Sequence, residues 1–142
     1  IAGLKTKLEA IPTKGTANYS GKAFDAENNG TLDYNVNFEN KTGSGTITGL
    51  GNNITLEQGS ISGTGISSTA TQGYKSGSYS LDFFGKNAEE IAGKVIFNGK
   101  DTVGFGGQRR DSKIIFHLNY DVKGRLKPFQ TTFSTIFTAL SV

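Results

Sequence analysis

Leu32, Tyr34, Val36 and Phe38 are apolar, and Asp33, Asn35, Asn37 and Glu39 between and after them are polar. A period of two is the repeat of a β-strand with one face in a core and the other in water. The same rhythm runs through Ala17, Tyr19, Gly21 and Ala23, through Tyr79, Leu81 and Phe83, and through Ile91, Gly93, Val95 and Phe97. Shorter pieces carry Ile47, then Ile54 with Leu56, then Ile61 with Ile66, then Val103 with Phe105. Turn formers separate them at Glu27-Asn28-Asn29-Gly30, Lys41-Thr42-Gly43, Gly51-Asn52-Asn53, Gln72-Gly73 and Asn98-Gly99-Lys100-Asp101. The pattern predicts an all-β domain of eight short antiparallel strands over residues 16–109. Closing such a meander into an up-and-down barrel removes its edges and fills the interior with side chains. A two-sheet sandwich would show the same alternation. Glycines inside the apolar runs, such as Gly21, Gly45, Gly93 and Gly106, favour the tightly coiled barrel.

The flanks read differently. Residues 1–15 form a linker in which Ile1, Leu4, Leu8 and Ile11 have helical spacing before Pro12, predicting a short helix on one barrel end. Residues 110–142 form an atypical C-terminal extension. There Ile114, Phe116, Leu118, Tyr120 and Val122 alternate as an extra strand, and Phe129, Phe133, Ile136, Phe137 and Leu140 follow as an apolar tail. Three readings of that extension stand open: a non-native addition, a strand with a capping helix, or a membrane-associating segment. The chain starts without Met and shows neither a secretory leader nor an apolar run of membrane-spanning length, so it is expected to be part of a longer protein.

Composition excludes several chemistries. There is no Cys, hence no disulfide framework, thiolate metal site or cysteine nucleophile. One His leaves no multi-histidine metal centre and makes a Ser-His-Asp triad barely attainable. Glu89 and Glu90 are adjacent, so on a strand they would face opposite sides and could not share a substrate. Gly43-Ser44-Gly45 and Gly104-Phe105-Gly106-Gly107 lack the spacing of phosphate-binding loops. No catalytic residue and no metal site are expected, and the chain is read as a non-enzyme. The net charge of +3 lies wholly in the extension, because residues 1–109 carry 10 basic and 10 acidic residues and residues 110–142 carry 5 and 2. The basic cluster of Arg109, Arg110, Lys113, Lys123, Arg125 and Lys127 therefore adjoins a neutral body, and no nucleic-acid partner is expected. No cofactor is required, and His117 with Tyr120 are the candidates for haem should one bind.

Two stretches carry a family resemblance. Ile11 to Phe24 (IPTKGTANYSGKAF), Val36-Asn37-Phe38 and Gly43 to Ile47 are similar to the first three strands of the barrel domain in transferrin-binding protein B-like surface lipoproteins. Gly77 to Gly93 (GSYSLDFFGKNAEEIAG) resembles that family's hallmark, a Gly-x-Tyr strand followed by Phe-Gly-x-x-Ala-Glu-Glu-x-x-Gly. Val103 to Arg109 resembles its closing strand. The resemblance implies an eight-stranded filled barrel in which Gly77, Tyr79, Phe84, Gly85, Asn87, Ala88, Glu89, Glu90 and Gly93 are structural. It further implies a Gram-negative outer-membrane surface lipoprotein, held to the membrane by a lipid anchor outside this chain. The function implied is capture of a host serum protein, such as transferrin or a complement regulator, for iron acquisition or immune evasion. Haem or a small apolar ligand is the alternative, and a barrel that merely supports an N-terminal binding domain is another. Factor H-binding members use acidic residues flanking the hallmark, where this sequence has Lys75 and Ile96, so that contact does not carry over. Neither the ligand nor the oligomeric state is specified by the sequence.

Overall fold

The computed structural model describes residues 4–99 and 101–110. Its strands are β1 (Thr16–Phe24), β2 (Asn29–Asn37), β3 (Thr42–Thr48), β4 (Ile54–Ser62), β5 (Gly65–Gln72), β6 (Lys75–Phe84), β7 (Glu90–Phe97) and β8 (Asp101–Arg109). Each pairs antiparallel with the next, and β8 returns to pair with β1, giving a closed eight-stranded barrel. The barrel reading of the alternation therefore holds, and the sandwich does not. The closing seam registers Tyr19 with Arg109 and Phe24 with Gly104.

Alternation decides the packing. Ala17, Tyr19, Leu32, Tyr34, Val36, Ile47, Ile54, Leu56, Ile66, Leu81, Phe83, Ile91, Val95 and Phe97 are all buried in one core. An eight-stranded barrel is just wide enough for side chains to fill it. Phe83 sits at the middle of an aromatic group, 5.7 Å from the Phe38 ring centre and 6.1 Å from that of Tyr19. Close strand approach has a visible cost in side-chain room. A Cβ on Gly93 would lie 2.0 Å from the Ser80 carbonyl oxygen and 2.8 Å from the Leu81 Cα, both backbone atoms.

Strand β4 departs from simple alternation. Glu57 and Gln58 are both exposed, and the pairing with β5 shifts between Leu56 and Ile61. A bulge with one extra residue moves the inward set from even to odd positions. Ile61 thus belongs to β4 and faces Ile66 across the Gly63-Thr64 turn, instead of sharing a strand with it as the sequence reading had placed it. The core supplies a partner for the displaced backbone. Tyr79 O–H donates to the Glu57 carbonyl at 2.6 Å, and Ser68 Oγ donates to the Gln58 carbonyl at 2.8 Å. The Tyr79 oxygen lies 2.9 Å from that of Tyr34. Its single proton being committed to Glu57, Tyr79 must accept from Tyr34.

Of the short linker helix expected before Pro12, the described residues show one turn, preceded by extended chain. Among the described residues the helical structure is one 3-10 turn, Leu8–Ala10. Residues 4–6 run as a strap along the end of β6. Thr6 N–H donates to the Phe83 carbonyl at 2.9 Å, Gly85 N–H donates to that of Leu4 at 2.9 Å, and Thr6 Oγ1 donates to that of Gly85 at 2.8 Å. A helix of this length must recover a costly nucleus, and the protruding end of β6 offers the same backbone groups partners directly. Leu4 and Leu8 remain exposed, while Ile11 packs against the core.

Candidate partner-binding surfaces

The barrel has two unlike ends. The proximal end holds the strap, the end of β8 and the loop joining β6 to β7, which contains most of the hallmark. Gly85 turns the chain with φ +97°, and a Cβ there would meet Glu89 Oε1 at 2.3 Å. Glu89 Oε1 accepts the Asn87 N–H at 2.8 Å, and the Asn87 carbonyl accepts Arg109 Nη1 at 2.8 Å. Ala88 is fully buried in the left-handed region, φ +61°, and its carbonyl accepts Tyr19 O–H at 2.6 Å. Arg109 N–H donates to the Glu89 carbonyl at 2.8 Å, and Gln108 Nε2 donates to Glu90 Oε2 at 3.2 Å. The Asn87 N–H holds the Glu89 carboxyl below its usual range, with Arg109 and Lys86 adding to the effect. Burial pushes the Tyr19 hydroxyl well above its usual range. The loop thus ties β6, β7, β8 and β1 together at one end of the seam, through backbone groups of Asn87, Ala88 and Glu89 and the Glu89 carboxylate.

The remaining hallmark residues lie along the strands. Gly77 makes room for the Ile96 carbonyl oxygen, 2.1 Å from where its Cβ would stand. Phe84 pairs with Lys5 of the strap. Tyr79 supports the β4 bulge as described above.

At the distal end the β1–β2 turn, the β3–β4 loop and the adjoining ends of β5, β6, β7 and β8 line a cavity of about 590 Å³. Leu50, Phe97 and Val103 form its apolar floor, with Asp25, Glu27 and Asn52 among its rim. Asp25 Oδ1 accepts the N–H groups of Glu27 at 2.9 Å and Asn28 at 2.7 Å, which fixes the β1–β2 turn and depresses the Asp25 pKa. Gln72 Nε2 donates to the Leu50 carbonyl at 2.8 Å and the Asn52 carbonyl at 2.9 Å, pinning the β3–β4 loop to the end of β5. From this support the Gly73 turn projects Tyr74, whose exposure is 109%. Lys75 Nζ stands 5.7 Å from the Phe97 ring centre. Lys75 and Ile96 thus occupy β6 and β7, with Lys75 at the distal rim.

The outer wall across β7, β8 and β1 carries a shallow trough of about 630 Å³ floored by Ala92, Gly104 and Gly106. The Phe24 ring lies across Gly104, its Cζ 2.7 Å from where a glycine Cβ would stand, and remains half exposed. Among the described residues no group of three His, Asp or Glu side chains is placed to hold a metal ion. His117 and Tyr120 lie outside the described residues, as do the extra strand and apolar tail of the extension. Sequence reasoning missed Tyr74. The available signal was an aromatic residue directly after Gly73 in a turn, where no core face requires one.

A family model described as factor H binding protein, C-terminal, matches residues 9–95, from the linker through most of β7. The chain belongs to this family. Solved structures share the factor H binding protein C-terminal fold found here. HpuA from Kingella denitrificans, in complex with human haemoglobin, superposes with a TM-score of 0.70 at 23% identity, over 76% of this chain and 48% of that one. Transferrin binding protein B from serogroup B Neisseria meningitidis gives 0.63 at 23% identity, over 75% of this chain and 28% of that one. A protein described as a surface lipoprotein gives 0.61 at 17% identity, over 74% and 65% respectively. The chain therefore spans about half of the haemoglobin-binding protein and a little over a quarter of the transferrin-binding one. At these identities the likeness is one of fold, and it agrees with the barrel closed by β1 and β8.

Proposed function

We propose that this barrel is a host-protein-binding domain of a Gram-negative surface lipoprotein, serving iron acquisition or immune evasion through binding rather than catalysis. Membership of the factor H binding protein C-terminal family carries the reading. Neighbours of the same fold whose descriptions name haemoglobin and transferrin point to the same class of partner. The packed interior agrees with it, because Tyr19, Tyr34, Phe83 and Phe97 fill the barrel and a macromolecule must be met on the outside.

The experiment is surface plasmon resonance with the full chain over immobilised human haemoglobin, transferrin and factor H. Saturable binding to one of them with a micromolar or tighter Kd is the expected result. Absence of binding to all three up to about 100 μM, roughly 5.5 kcal/mol of association free energy, would refute the reading for this chain and leave a supporting role in its place.

A further inference from the structure

An aromatic ring wholly in water gives the fold nothing, yet Tyr74 is held there by a rigid support. Its neighbour Gln72 is bonded to two carbonyls of the β3–β4 loop, and a Cβ on Gly73 would stand 2.7 Å from Asn52 Nδ2, so the turn is clamped against that loop. A clamped turn presents the ring at a fixed place on the surface, and Tyr has only two side-chain torsions to give up on binding, which suits it to the centre of interfaces.

A second observation places the rest of the surface. The other exposed aromatic residue among those described is Phe24, the last residue of β1, whose ring lies over Gly104 on the outer wall next to the distal turns. Between the two turns lies the cavity, and Asp25 and Glu27 give its β1–β2 side negative charge. The proximal end is occupied instead by the strap and the clasp around Arg109. The distal end thus combines an exposed aromatic ring on a clamped turn, a recessed apolar floor and an acidic β1–β2 edge, with Lys75 on the β6 side.

We infer that the distal end is the docking face for the host protein, with Tyr74 as its anchor. The partner is a folded protein with an apolar socket for the phenol ring and a basic group opposite the Asp25–Glu27 turn. This inference rests on the proposed function and names the surface that performs it.

The test repeats the resonance measurement, over the same three probes, with Tyr74→Ala, Tyr74→Phe, Glu27→Lys and Lys7→Ala, the last lying next to the strap and away from the distal turns. Thermal melts establish that each variant is folded. For a probe that the wild type binds, Tyr74→Ala weakens binding by about thirtyfold or more, the range of an interface hot spot. Tyr74→Phe keeps most of the affinity because the ring body is retained, and Lys7→Ala leaves it unchanged. Glu27→Lys lowers the association rate most at low salt, as a charge on an interface edge does. Binding of Tyr74→Ala within threefold of wild type overturns the anchor and leaves the proposed function standing. Failure of the wild type to bind any probe overturns both.

Discussion

Tyr79→Phe removes one oxygen from the core but strands two groups. Tyr79 donates to the Glu57 carbonyl at 2.6 Å and accepts from Tyr34, 2.9 Å away. Tyr34 is fully buried and Tyr79 nearly so. A buried polar group left without a partner costs about 1–3 kcal/mol. Taking about 2 kcal/mol for the Tyr34 hydroxyl and about 1 kcal/mol for the partly buried carbonyl, the variant loses about 3 kcal/mol. Tyr34→Phe is milder: Tyr79 keeps its donor bond and forfeits only an accepted one, about 1 kcal/mol.

The sharper expectation is a change of sign. In the Tyr79→Phe background the Tyr34 hydroxyl is already stranded, so replacing it with hydrogen removes a liability. Tyr34→Phe should then stabilise the protein by about 1–2 kcal/mol, and the double variant should be firmer than Tyr79→Phe alone. Urea unfolding followed by far-ultraviolet circular dichroism measures all four proteins without relying on tyrosine emission. For a barrel of this size, each 1 kcal/mol also moves Tm by about 4–8 °C. An unchanged cost of about 1 kcal/mol for Tyr34→Phe in both backgrounds would refute the relay and show the two hydroxyls to be energetically independent.

Glycine substitutions should divide by what their Cβ meets. Gly93→Ala drives a methyl into the Ser80 carbonyl and Leu81 Cα and should cost more than about 3 kcal/mol or abolish folding, whereas Gly104→Ala meets only the movable Phe24 ring and should cost under about 1 kcal/mol, both read by thermal melts. Stability should fall on the acid side, because the depressed pKa values of Asp25 and Glu89 contribute only above the ordinary carboxylate value of about 4 and are lost as pH drops through their folded values, a trend read from urea midpoints between pH 7 and 3. It should fall again in alkali: burial raises Tyr19, Tyr34 and Tyr79, so the unfolded chain loses its phenolic protons first above pH about 10, and Tyr34→Phe should flatten that limb. Thr6→Val removes the hydroxyl bond to Gly85 and should cost about 1 kcal/mol, with faster hydrogen exchange at the Gly85 amide as its local signature.

The strands were legible because a period of two is a local code. Leu32 to Phe38 announces which side chains enter the core without reference to any distant residue. What the code omits is the polar half of that core. Tyr19 finds the Ala88 carbonyl 69 residues away, and Tyr34 finds Tyr79 across 45. Neither partner is visible in the neighbourhood of the ring. The β4 bulge was partly written, as the step from Leu56 to Ile61 crosses from even to odd positions, but a change of phase reads equally well as a new strand. The linker was legible only in part. Its helical spacing is real, yet the partners that decide it are the Phe83 and Gly85 backbone groups, which no property of residues 1–15 reveals.

The exposed surface obeys a different logic. Core alternation constrains every second residue and leaves the turns free, so a binding residue at a turn carries no periodic signal. Tyr74 illustrates the consequence. Its ring touches no core residue that would demand it, and the turn that carries it needs only Gly73 and the Gln72 bonds to hold its shape. Substitution at Tyr74 should therefore leave Tm within about 2 °C of wild type, the scatter expected of a surface change of under 0.5 kcal/mol. Substitution at Tyr79, five residues along the same hairpin, should lower it sharply. A Tyr74→Ala protein that melted well below the wild type would show the ring to be part of the fold, and the distal end would lose its claim as the partner-facing surface.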